Sequence, residues 1–281
     1  MKLWNNDIEL KDYKDIFILA DKSLYPEWEI DKQRIEDYDS GKLVMWGPAG
    51  LQAMTFDRKT KSILVFNRHF DRNWDIREVA ILHEIMHFEV KDKEILSEYL
   101  LNLQPFTSAG VKIISPNPSI LTPFQIESLN TLIGSMHGIT SLPDEYLAEK
   151  ELFVKSRTLF ARRFNYIYDD AKSRLENSKT QQMGNMGLQI AINQVLWLKT
   201  IGSVCNDREC IKLKELAEEY YSMIKNISWL SLESLNFFDD SIQKIVKEVI
   251  SGKDNYLTLI SLYREYRIGY LKNIFQIIVE D

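Results

Sequence analysis

Ser62-Ile63-Leu64-Val65-Phe66-Asn67 is followed, a few residues on, by Asp75-Ile76-Arg77-Glu78-Val79-Ala80-Ile81-Leu82-His83-Glu84-Ile85-Met86-His87-Phe88-Glu89-Val90. The first run is apolar and β-branched, bounded by the turn-like Asp57-Arg58-Lys59-Thr60-Lys61, and reads as a strand. The second carries a helical period. Asp75 with Glu78 three residues later is a box-like N-terminal signal ahead of the apolar positions. At about 100° per residue, Ile76, Val79, Ala80, His83, His87 and Val90 fall within one arc, so the two histidines share the core-facing stripe. Leu43 to Trp46 and Leu51 to Phe56 read as two further strands, joined by the turn Gly47-Pro48-Ala49-Gly50. A helix is expected from Lys11 to Ser23. The fold class implied is α+β and predominantly helical: a small antiparallel sheet packed on the helix that carries the histidines, then an all-α C-terminal region.

His83 and His87 are one helical turn apart and can direct two imidazoles at one metal ion. Glu84 sits beside that ion, placed to take a proton from a water. This is the HExxH arrangement of zinc peptidases. The chain has only four histidines, so the coincidence of spacing is informative. Two imidazoles on one buried stripe need partners for four ring nitrogens, which a metal and nearby acceptors supply.

Such a site needs a third protein ligand. The extended motif with Gly at 90 and His at 93 is absent, because Val90 and Lys93 stand there. Glu94 lies roughly 10 Å further along the same helix, and Glu89 points away. The best candidates lie in Ser141-Leu142-Pro143-Asp144-Glu145-Tyr146-Leu147-Ala148-Glu149. Ser141, with Asp144 three later and Pro143 in the first turn, starts a helix expected to run to about Glu176. Glu145 and Glu149 share its apolar face with Ala148, Leu152, Ser156, Leu159 and Phe160. Two carboxylates on such a face call for a cation: one as ligand, the other orienting a ligating histidine.

His83-Glu84-xx-His87 followed by Glu145-xx-Ala148-Glu149 resembles the gluzincin pattern of HExxH then ExxAD, closest to the soluble minigluzincins and the related HtpX-type peptidases. The likeness covers roughly residues 40 to 165. It implies one Zn2+ per chain held by His83, His87 and Glu145, with Glu84 as general base for a zinc-activated water and Glu149 behind a ligand. Glu at position 149 departs from the family's Asp, and leaves open an exchange of roles between Glu145 and Glu149. His137 and Tyr146 are the preferred further catalytic candidates, with His69 and Arg163 also available to steady an oxyanion. His137 is in addition the fallback third ligand.

The expected activity is therefore that of a soluble zinc metalloendopeptidase acting on peptide or protein substrates. The competing expectation is a degenerate or structural metal site whose helical C-terminal half is a protein-interaction module. A net charge of −6 and a pI near 5.4 give no reason to expect nucleic acid. The N-terminus lacks a basic-then-apolar signal. The most apolar long window, Met186 to Val204, is interrupted by Gln189, Asn193, Gln194 and Lys199. A cytoplasmic protein with free Cys205 and Cys210 is expected. Pro105 to Pro123 reads as an irregular segment. A catalytic domain over 1–177 would be followed by a helical one over 178–281, built of helices Gln189 to Ile201, Arg208 to Ile227, Leu232 to Ile250 and Tyr256 to Val279.

Overall fold

The computed structural model describes the strands between residues 16 and 113, residues 79, 82–87, 90, 99 and 101–103, and residues 138–280 except 180–182, 253–255 and 276–278. The strands are β1 (Ile16–Leu19), β2 (Ala53–Asp57), β3 (Ser62–Phe66), β4 (Lys112–Ile113) and β5 (Val279–Glu280). Six helices have defined bounds: α1 (Leu142–Lys155), α2 (Arg157–Lys179), α3 (Asn185–Ile201), α4 (Arg208–Lys225), α5 (Leu232–Ser251) and α6 (Tyr256–Phe275). Two compact units result, residues 1–90 with 147–166 and residues 91–146 with 167–281.

The α+β expectation is corrected. Helix dominates the described residues, and the class is all-α. The strands do not form the expected antiparallel meander. They are short, and in the order β1-β3-β2 the first pairing is parallel, Ile16 opposite Ile63, and only β2 with β3 is antiparallel. The helix expected from Lys11 to Ser23 is corrected as well, since Ile16-Phe17-Ile18-Leu19 is extended. Four consecutive apolar residues, two of them β-branched, suit a ladder at least as well as a helix. The strand expected over Leu43 to Trp46 lies outside the described residues. Within the segment read as irregular, Lys112 and Ile113 pair antiparallel with Glu280 and Val279.

In the unit that holds the HExxH motif, residues 82–87 are helical. The burial there exceeds a stripe. Leu82, Ile85 and Met86 are as inaccessible as His83 and His87, so this turn is enclosed all round. The single helix expected from Ser141 to Glu176 is two helices. The break falls at Ser156, which is buried and whose Oγ accepts from Leu159 N at 3.4 Å, an N-terminal cap for α2. The axis turns sharply there. Glu149 and Arg163, fourteen residues apart, are in contact, whereas a straight helix would separate their Cα atoms by about 21 Å.

The other unit has a helical core. α3 packs on α4 and α5, and α5 on α6. Phe238, Ile242, Ile245 and Val249 recur every three or four residues along α5 and are buried. Ser231 caps α5 by accepting from Ser234 N at 3.1 Å. Gly252, at φ 91°, ends the helix in a conformation that side chains disfavour. Tyr220, Tyr221, Tyr263, Tyr266 and Tyr270 are buried as expected of core aromatics. Their hydroxyls find acceptors: Tyr220 donates to Ala171 O at 2.7 Å and Tyr266 to Gln189 Oε1 at 3.2 Å. Trp229 is 43% exposed and donates to Met183 O. Cys205 and Cys210 form a disulfide, correcting the free thiols expected. Among the described residues no helix is long and apolar enough to cross a membrane.

Candidate metal centre

The HExxH turn places its two imidazoles as its spacing requires. His83 Nε2 and His87 Nε2 face each other at 3.2 Å, with the rings nearly perpendicular at 79°. Two imidazole lone pairs pointed at each other repel. Something positive must lie between them, either a proton or a cation. Two nitrogens bound at about 2.05 Å to one tetrahedral ion stand roughly 3.3 Å apart, so the observed separation suits a shared ion without rearrangement. Glu84 Oε1 is 3.9 Å from His83 Nε2. The ligand atoms of His83, Glu84 and His87 lie within 4.8 Å of one another, and all three residues are buried. The residues present thus fit a divalent ion, and imidazole with carboxylate suits zinc and its first-row neighbours.

Glu149 approaches from α1. Its carboxylate is wholly buried, and Oε1 lies 3.1 Å from His83 Nδ1, the nitrogen on the far side of the ring from His87. The same Oε1 accepts from Arg163 Nε of α2, while Oε2 has no hydrogen-bond partner among the described residues. Burial alone would raise the Glu149 carboxyl. The Arg163 guanidinium and the His83 ring overcome that and hold it at about 2. Glu149 is therefore an anion enclosed by protein, balanced by Arg163 and turned toward His83.

Glu145 is half-buried in the first turn of α1, one turn before Glu149, and donates its backbone N–H to Ser141 O. Tyr146 is buried, and burial pushes its phenol above the ordinary value. Both belong to the second unit, and His83, Glu84, His87, Glu149 and Arg163 to the first. His137 and His69 lie outside the described residues. The sequence makes Arg163 available as a donor for an oxyanion. The structure instead engages it with Glu149, a partnership that fourteen residues of separation on one supposed helix concealed. Compared with protein-family models, curated proteins and solved structures, the chain matches none.

Proposed function

We propose that this protein is a zinc-dependent hydrolase of the metallopeptidase type, with His83 and His87 as metal ligands and Glu84 as general base. The observation that carries the reading is the 3.2 Å convergence of the two Nε2 atoms beside the Glu84 carboxylate. A divalent ion held there supplies the Lewis acid of metal-assisted hydrolysis. Glu84 takes the proton of the attacking water and returns it to the leaving amine. Glu149 accepts from His83 Nδ1 and fixes the ring so that Nε2 keeps its lone pair for the ion. The third ligand is proposed on sequence spacing alone, with Glu145 as the candidate and Glu149 as its alternative. The structural-site alternative meets an obstacle. Closed zinc sites favour cysteine, and both cysteines of the chain are joined to each other.

Elemental analysis after dialysis against a weak chelator, with hydrolysis of a quenched-fluorescence peptide library, tests this. Wild type is expected to hold one zinc per chain and to cleave peptides. Glu84→Gln is expected to keep the metal and lose about 10²–10⁴-fold in rate, and Glu145→Ala to lose the metal. Metal-free wild type, or full activity in Glu84→Gln, would refute the reading.

A further inference from the structure

We infer that Arg163 is a positioning residue for this site: by holding Glu149 Oε1 against His83 Nδ1, it selects the His83 tautomer that leaves Nε2 open toward His87. The inference rests on the proposed metal-ligand role of His83.

Glu149 is fully buried, and its Oε1 accepts from Arg163 Nε of α2 while lying 3.1 Å from His83 Nδ1 of the HExxH turn. Oε2 is engaged by neither. A glutamate side chain has three rotatable bonds and two equivalent oxygens, so contact with one histidine nitrogen does not fix its orientation. The guanidinium does. It is itself 9% exposed, a planar cation whose N–H directions are set once its stem is packed. With Arg163 in place, the acceptor faces Nδ1, and the proton of a neutral His83 ring belongs on Nδ1. Without it, the single approach to His83 Nδ1 does not keep Oε1 from turning away. His83 would then distribute its proton over both nitrogens, and protonation at Nε2 blocks a ligand position.

The test is long-range 1H–15N spectroscopy of the histidine rings in the metal-free protein, run beside zinc titration against a chromophoric chelator. The proteins are wild type, Arg163→Met, Arg163→Lys, Glu149→Gln and the double variant Arg163→Met/Glu149→Gln. The double variant leaves no unbalanced charge in the core and serves should Arg163→Met fail to fold. Wild type is expected to show His83 protonated at Nδ1. Loss of Arg163 is expected to mix the tautomers and weaken zinc binding ten- to a hundredfold. Arg163→Lys, which restores the cation without the planar N–H, is expected to recover folding but not the single tautomer. Glu149→Gln and the double variant should bind zinc equally weakly, because Arg163 acts through Glu149. The inference is overturned if an Arg163 variant keeps the single Nδ1–H form, or if the double variant is weaker than Glu149→Gln by the full factor that Arg163→Met costs alone. Wild type that takes up no zinc yet shows the tautomer change would sink the hydrolase reading and leave the positioning role standing.

Discussion

Removing the Arg163 side chain exposes how much of the fold depends on the Glu149 charge. In Arg163→Met, a wholly buried carboxylate loses its only cationic partner among the described residues other than the His83 ring. Two independent routes give the size of the effect. Breaking a buried ion pair by deleting one partner costs about 3–5 kcal/mol, because the other charge is left uncompensated. Separately, a carboxyl taken from 4.5 to about 2 on folding contributes roughly 3 kcal/mol to stability at neutral pH. Because the folded value lies below the unfolded one, this contribution is complete above the unfolded value of 4.5 and drains away as the pH falls through about 2. The assay is urea unfolding of metal-free protein followed by far-ultraviolet circular dichroism, at pH 7 and at steps down to pH 2. Arg163→Met should lose about 3 kcal/mol or more at pH 7. Arg163→Met/Glu149→Gln should regain most of that, with a flatter acid limb than wild type. A loss below about 1 kcal/mol in Arg163→Met would match an exposed pair and would refute the picture of Glu149 as an enclosed anion.

Gly269→Ala should destabilise the α5–α6 pair: the new Cβ would stand 2.2 Å from the Phe237 ring, and overpacking of about 1–3 kcal/mol outweighs the gain of up to about 1 kcal/mol in helix propensity. Thermal unfolding of Gly269→Ala with and without Phe237→Leu checks this, since trimming the ring should restore the midpoint. Reduction of Cys205–Cys210, whose sequence separation is only five, should cost roughly 2 kcal/mol by loop-closure entropy. Denaturation with and without dithiothreitol reads that directly, and an unchanged midpoint would show that the bond constrains little.

The parts legible in the sequence were those with a long period and clean punctuation. The expected α4 and α5 begin where Arg208 and Leu232 begin them, because the Asp207 and Ser231 that precede them are good N-terminal residues and the apolar spacing behind them is regular. The HExxH turn was legible for a different reason: i and i+4 on a helix leave little freedom in where two imidazoles meet. What failed was decided by contacts distant in sequence. Ile16 to Leu19 is extended because β3 lies beside it, and a four-residue apolar run carries too little period to declare itself. The Cys205–Cys210 bridge depends on how residues 202–207 turn into α4, bringing the two Cα atoms to 5.9 Å, and spacing alone does not specify that path. Hydrophobicity alone would place Trp229 inward, but its indole N–H is satisfied by Met183 O at the surface.

The corner at Ser156 is the link between fold and site that the sequence concealed most fully. No proline or glycine marks it. In the sequence Ser156 is one more residue on the apolar face, whereas in the structure it is a cap. Its consequence follows from helix geometry. In an unbroken helix, residues 149 and 163 would lie about 21 Å apart along the axis, beyond the combined reach of a glutamate and an arginine. Their contact exists because the chain turns at Ser156, with Leu159 N satisfied by the serine hydroxyl instead of by a carbonyl of α1. The corner is therefore a condition for balancing the Glu149 charge, and that charge in turn sets what His83 Nδ1 meets. Ser156→Ala should cost about 1 kcal/mol as a lost cap. If the chain straightened in response, the site would lose Arg163 and with it the partner that makes a buried Glu149 affordable. A variant that unfolds more readily but keeps the His83 tautomer would show that packing around Phe153 and Phe160 holds the turn without the hydroxyl.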